Sequence, residues 1–344
     1  MQTRRDTIRI AATLAAAMAL PAASPVPGLR RPPRLRPGDT VGLIEPAGFS
    51  NDTYDVDLVA ETVRAMGLVP EIAPNVAKRD GYLAGSDKER AADLQAMYAD
   101  DAVRAVFAIR GGWGCARILP YLDFAAIRAK PKLLTGFSDI TALHLAFAAK
   151  AGFTTIHGPN AASAWGELSW SAFREIAFNG ATPTFVNPPG KENRLVQREG
   201  RIRTFTGGKA QGRLLGGNLT VLSALVGTPY VPDFTGAILF IEDVDEAEYR
   251  IDRMLTQLRL AGILAKLAGV VFGQCTDCRA RSGSTLGGYT LSQVLEQHLK
   301  PLGVPAFQGA LFGHIAEQFS LPVGVRAEID ADTGAIRMLE PAVS

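Results

Sequence analysis

Between residues 39 and 157 the chain alternates short apolar runs with amphipathic helical stretches, and few architectures accept that pattern. Residues 39–46 (DTVGLIEP), 68–73, 103–109 (VRAVFAI), the run that reaches Leu134, and 153–156 read as strands. Between them, Val56, Leu58, Val59, Val63 and Met66 share one helical face, and Ser86-Asp87-Lys88-Glu89 is a capping box opening a helix over roughly 87–99. Strands and helices alternating at this spacing build an open parallel sheet with helices on both faces. The expected class is therefore α/β. Ligands of such sheets bind just beyond the carboxyl ends of the strands, so those ends are where chemistry should be sought.

Two strand ends stand out, and a further strand end follows them. The run at 133–152 (LLTGFSDITALHLAFAAKAG) breaks from strand to helix at Gly136-Phe137, with Ser138 at the apex. A side chain at such a turn is exposed, and the amides opening the helix point at the same spot, which suits a serine nucleophile. The pattern falls short of G-x-S-x-G because Ile140 stands in place of the last glycine, and the alternative role for Ser138 is to cap the helix. The strand at 103–109 runs into Arg110-Gly111-Gly112-Trp113-Gly114-Cys115, where glycines let the backbone turn tightly and bring bare amides close to a ligand. Cys115 shares that turn, and as a thiolate it would be a rival nucleophile. The strand at 153–156 ends in His157-Gly158-Pro159-Asn160.

Beyond residue 160 the character changes. Trp165, Trp170, Pro183, Pro188, Pro189 and a charged run at 191–203 suggest a helix followed by an irregular connection. The expected division is an N-terminal domain over 39–165, a connection over 166–208 and a C-terminal domain over 209–344. In the last, residues 236–241 (GAILFI) form a strong strand ending at Glu242-Asp243, and Ile251, Met254, Leu255 and Leu258 make one buried helical stripe. Further strands at 270–272, 306–310 and 325–329 suggest a compact sheet or barrel.

The first 24 residues belong to a different category. Arg4, Arg5 and Arg9 precede an apolar run at 10–20 and small residues at 22–24, the pattern of a signal peptide, and Thr3-Arg4-Arg5 fits a twin-arginine exporter. Residues 25–38, with five prolines, read as a stiff lead into the domain. Removing the leader takes three arginines and one aspartate from 36 basic and 34 acidic residues, so the mature chain carries equal numbers of each sign. That balance draws in neither nucleic acid nor an anionic membrane, and no other stretch is long and apolar enough to cross a bilayer. The expected location is the periplasm or cell exterior. Three cysteines are too few for a disulfide framework, and Cys275 and Cys278 could pair, bind metal or do neither. Zinc would need two further ligands that no nearby sequence supplies. The oligomeric state is open, a homodimer included.

A serine hydrolase needs a base for the hydroxyl proton and a group to orient that base. Of four histidines, His298 lies among polar residues and reads as solvated, and His144 lies six residues past Ser138, on another helical face. His157 and His314 both sit beside glycine at strand ends. His314 is the better base because Glu242 supplies a carboxylate at another strand end, and the order Ser138, Glu242, His314 is one of the known triad orders.

The strings RGGWGCARILPYLD, GFSDITALH, HGPN, LLGGNLTVLSALVGTP, FIEDVDEAEYRIDRML and GHIAEQFSLPVG, in that order, resemble the LD-carboxypeptidase family of serine peptidases, also called muramoyltetrapeptide carboxypeptidases. The resemblance spans about residue 35 to the C-terminus. It implies a flavodoxin- or amidotransferase-like N-terminal sheet domain and a β-barrel-like α+β C-terminal domain, with the active site between them. It implies Ser138 as nucleophile, His314 as base and Glu242 as its partner, with the amides of Asp139 and Gly112 as oxyanion donors. The implied substrate is a murein tetrapeptide or muropeptide that loses its terminal D-alanine, and no cofactor or metal is implied. A carboxypeptidase must also hold the substrate's carboxylate. Arg110 is the candidate by position, with a structural ion pair as its alternative role, and Asn218 is a second substrate-binding candidate.

Overall fold

The computed structural model describes residues 29–190, 193, 195, 196, 200–279 and 288–344. The expected signal peptide at 1–24, the start of the Pro-rich lead at 25–28 and part of the charged run after 190 lie outside the described residues.

The apolar runs of the first half become β1 (Thr40–Ile44), β2 (Val69–Ile72), β3 (Val103–Ala108), β4 (Leu133–Gly136) and β5 (Thr155–His157). They pair in parallel in the order β2-β1-β3-β4-β5, that of flavodoxin-like sheets. Every residue of β4 and β5 is buried, and nearly every one of β1 and β3, because helices pack on both faces; this is why the strands read as continuous apolar runs rather than alternating ones. The helix Asp87–Ala99 starts at the capping box seen in the sequence: Glu89 N donates to Ser86 Oγ at 3.3 Å and Ser86 N to Glu89 Oε2 at 2.9 Å. The described part of the lead is tied down: Leu35 N donates to Ala177 O and Arg34 N to Ser344 O.

The second half adds β6 (Thr184–Phe185), β7 (Arg203–Thr206), β8 (Lys209–Asn218), β9 (Ile238–Val244), β10 (Gly269–Thr276), β11 (Ala306–Gln308), β12 (Leu321–Val323), β13 (Arg326–Asp330) and β14 (Ala335–Met338). All but β12 form one eight-stranded sheet, β6-β14-β13-β8-β9-β10-β11-β7, curled into a half barrel. Its centre, β8 to β11, is parallel and its margins are antiparallel. The stripe Ile251, Met254, Leu255 and Leu258 is buried on the helix Glu248–Leu260, as its spacing requires. Among the described residues no helix is long and apolar enough to cross a membrane.

The exception, β12, positions the site. It leaves the second half and pairs antiparallel with β5, Leu321 opposite His157, as the edge strand of the first sheet. The segment between β11 and β12 therefore bridges the two sheets, and His314 lies on it. A second junction fixes the other side. Asn218 N, at the end of β8, donates to Thr141 Oγ1 at 2.8 Å, and a Cβ on Gly217 would stand 2.4 Å from that same oxygen, so only glycine allows β8 to approach the helix that follows Ser138.

Candidate active site

β4 ends at Gly136, and Ser138 then takes φ +64°, a conformation that disfavours any side chain and costs on the order of 1 kcal/mol or more. The strain turns the chain directly into the 3₁₀ turn Ser138–Ile140 and the helix Thr141–Ala146. Capping does not explain this serine, because Phe137 occupies the N-cap position and no side-chain cap bond forms. Its hydroxyl instead meets His314, with Nε2 and Oγ 3.0 Å apart. On the opposite side of the ring, Nδ1 lies 2.8 Å from Glu242 Oε2.

These contacts fix the protons. An ionised carboxylate only accepts, so Glu242 holds the hydrogen on Nδ1, leaving Nε2 with a lone pair directed at the Ser138 hydroxyl. Glu242, on β9, is fully buried, and its other oxygen has no partner among the described residues, so its interaction is directed at the imidazole alone. Gly313 explains the Gly-His pair: with φ +113° it presses against Glu242, and a Cβ there would lie 2.8 Å from both Glu242 Cβ and Oε2. Thr276 Oγ1 donates to His314 O at 2.7 Å, and the Phe137 ring packs edge-on against the imidazole at 4.8 Å. Ser138 and His314 are half-buried.

The Arg110-Gly111-Gly112 turn lies against this group. A Cβ on Gly111 would stand 2.8 Å from Ser138 Cβ, 3.0 Å from its Oγ and 3.4 Å from Asp139 N, so the bare backbone approaches the hydroxyl as no other residue could. Gly112, at φ +119°, backs onto Gly48. Two buried charges that sequence reading passed over hold this turn. Glu45, just past β1, accepts from Ser50 N at 2.6 Å and Ala77 N at 3.0 Å, shaping the loop whose Gly48 N donates to Gly111 O and whose Phe49 O accepts from Arg110 Nη1 at 2.8 Å. Arg90, 1% exposed, donates through Nη1 to Pro46 O and, at 2.9 Å, to Gly114 O, joining the ends of β1 and β3. Glu45 is a charge set into an apolar run, whereas Arg90 follows Asp87-Lys88-Glu89 and reads as one more charge in the first turns of a helix.

Profiles of the LD-carboxypeptidase N-terminal and C-terminal domains match residues 41–158 and 211–329. The chain belongs to the LD-carboxypeptidase family. It is 36% identical to a Bacillus subtilis protein named "Probable murein peptide carboxypeptidase", covering 87% of this chain and 91% of the relative. It is 32% identical to the murein tetrapeptide carboxypeptidase of Pseudomonas aeruginosa, covering 85% and 93%. Among solved structures it resembles the microcin C7 self-immunity protein MccF in complex with glutamyl sulfamoyl guanosine, with TM-score 0.81, 25% identity, and coverage of 91% of this chain and 99% of that one. The family and both relatives agree on a carboxypeptidase.

Other expectations need correction. In this chain Asn218 is 4% exposed and both ends of its amide are committed, Oδ1 accepting from Val221 N and Nδ2 donating to Asp243 at 3.1 Å. It caps the helix Leu219–Leu225 instead of facing substrate. Burial, the largest effect, pushes the Asp243 carboxyl up to about 6 despite hydrogen bonds from Val244, Thr220 and Asn218, with the adjacent Glu242 adding to the rise. His298 is not solvated: it is 5% exposed and paired with Asp252 at 2.7 Å. Nor is His157 exposed; it lies among Phe137, Phe240 and Phe312, with no partner for either ring nitrogen among the described residues, and burial lowers its pKa well below the usual range. Arg110 is exposed and makes no ion pair among the described residues, which leaves the ion-pair alternative without support there.

Cys115 is fully buried. Burial first, and then the Asp139 carboxylate beside it, push the thiol well above its usual range, the reverse of what a nucleophile requires. Asp139 itself accepts from Cys115 N at 2.7 Å. Native enzyme should therefore keep full activity through iodoacetamide treatment, with Cys115 alkylated only after unfolding; rapid inactivation that Cys115→Ser prevents would reverse this assignment. Cys275 and Cys278 are joined in a disulfide beside Thr276, which rules out thiolate metal binding by that pair in this state.

His144 carries a pH signature. It is buried, and its Nε2 lies 2.9 Å from Gly136 O, which can only accept, so Nε2 bears the hydrogen and Nδ1 accepts from Thr155 Oγ1 at 2.8 Å. Burial lowers its pKa to about 4 from 6.5. The folded state thus favours the neutral ring: the stabilisation is complete above pH 6.5 and is lost as pH falls from there through about 4. About 3 kcal/mol is at stake. Between pH 7 and 4 the melting temperature of His144→Gln should fall less steeply than that of wild type; parallel slopes would contradict the assignment.

Proposed function

We propose that this chain is a serine LD-carboxypeptidase that releases the terminal D-alanine of murein tetrapeptides by acyl transfer through Ser138. The supporting observation is the imidazole of His314 lying between Ser138 Oγ at 3.0 Å and a buried Glu242 at 2.8 Å, with the tautomer that accepts a proton. As Ser138 Oγ bonds to the scissile carbonyl carbon, its proton passes to His314 Nε2. The carbonyl oxygen becomes an oxyanion facing the amides of Asp139 and Gly112, and loss of one such donor typically costs about 3 kcal/mol of barrier. The imidazolium then protonates the departing nitrogen, the C–N bond breaks, and D-alanine leaves. Water, deprotonated by the same imidazole, hydrolyses the acyl-serine. Arg110 is assigned to the substrate's terminal carboxylate.

The signal-peptide pattern read in residues 1–24 fits export, and with it a substrate in the cell wall or newly released from it. The likeness to MccF bound to glutamyl sulfamoyl guanosine supports a second reading, hydrolysis of a peptide-nucleotide conjugate by the same serine. Mass spectrometry of disaccharide tetrapeptide and of glutamyl sulfamoyl guanosine, incubated in parallel with the enzyme, separates the two. Loss of one D-alanine from the tetrapeptide, with the nucleotide intact, is expected; the opposite pattern would favour the second reading.

A further inference from the structure

A cavity of about 370 Å³ opens at the carboxyl edge of the first sheet. Two of its walls are chain neighbours of the reacting groups: Phe137 precedes Ser138, and Arg110 precedes the glycine pressed against the Ser138 hydroxyl. A third wall is Asn160, only 7% exposed. Its Oδ1 accepts from Phe137 N at 3.1 Å, and its Nδ2 has no partner among the described residues. Arg110 spends one guanidinium nitrogen on Phe49 O, and the rest of its fork has no hydrogen-bond partner among the described residues. Leu58, Val59 and Ile109 make the apolar part of the lining. Asp55, a carboxylate in the same lining, accepts from Asn51 N at 3.3 Å.

We propose that this cavity is the subsite of the residue that leaves, with Arg110 and Asn160 Nδ2 together holding its α-carboxylate and the apolar wall receiving its short side chain. A free α-carboxylate one residue from the scissile bond exists only on the leaving side, and a guanidinium beside a neutral buried donor is the chemistry that recognises it. Asn160 then has two tasks at once: one end of its amide binds the leaving residue, and the other fixes the backbone nitrogen next to the nucleophile. The proposal rests on the acyl-transfer reading above.

Asn160→Asp tests it, because aspartate keeps the oxygen that accepts from Phe137 N and replaces the free donor with a negative charge. The probes are one tetrapeptide with a C-terminal carboxylate and the same peptide ending in a carboxamide. Relative to wild type, kcat/KM on the acid should fall about a hundredfold, mostly through KM, while the amide loses far less. Arg110→Gln should move the ratio in the same direction. Equal losses on both peptides in both variants would overturn the proposal. Should wild type cleave neither peptide, the acyl-transfer reading fails, and binding of free D-alanine by saturation-transfer NMR still decides the subsite: binding weakened by Asn160→Asp supports it, and absent or unchanged binding overturns it.

Discussion

Ser138→Ala is expected to lower kcat on a murein tetrapeptide by about a million-fold while shifting the melting temperature by no more than a few degrees. The two halves of this result have separate causes. Alanine at φ +64° carries about the same backbone strain as serine, so the turn between β4 and its helix is unchanged. What is lost is one half-exposed hydrogen bond to His314, worth about 1 kcal/mol. The catalytic loss is large because the rival nucleophile, Cys115, is buried with its thiol pushed up and cannot take over. A modest fall in rate, or a collapse of the fold, would show that Ser138 is structural.

Glu242→Gln should cost about four orders of magnitude in kcat, again without unfolding the protein. Glutamine is nearly the same shape, so β9 and the close contact with Gly313 persist. Its amide group, however, can face the ring in two ways. With the oxygen toward Nδ1 the tautomer is kept, but the NH₂ then occupies the position where Glu242 Oε1 has no partner among the described residues, and a buried donor is left unpaired. With the NH₂ toward Nδ1 the ring must carry its hydrogen on Nε2, where it cannot accept the serine proton. In either orientation the charge that stabilises the imidazolium is gone. Relief of the buried charge and the cost of the unpaired NH₂ oppose each other, so the melting temperature should move by no more than a few degrees. A kcat within tenfold of wild type would mean that His314 does not depend on this carboxylate.

How much of this could be read in the sequence depended on whether the signal was local. The first sheet was legible because its strands are buried on both faces, and the helix at 87–99 because its cap is written in four consecutive residues. The short strand Leu321–Val323 was not legible: three residues carry no periodicity, and its partner β5 lies more than 160 residues earlier. Strand ends picked out Ser138, Glu242 and His314 as candidates, but only the crossing of that strand into the first sheet brings them within hydrogen-bonding distance. Asn218 was misread because a helix cap and a ligand donor look alike in sequence, and His298 because polar neighbours along a helix do not reveal which face is covered. Glu45 and Arg90 went unnoticed, and Asn160 was seen at a strand end but given no role, for a related reason. Each acts on backbone distant in the chain, the ends of other strands, and no spacing rule relates them.

The most direct measurement is to label active enzyme with a fluorophosphonate and map the adduct by peptide mass spectrometry. Stoichiometric phosphonylation of Ser138, abolished in His314→Ala and accompanied by loss of D-alanine release, is the expected result. An adduct on a different residue, or an enzyme that still releases D-alanine with Ser138 fully modified, would contradict a nucleophilic role for Ser138.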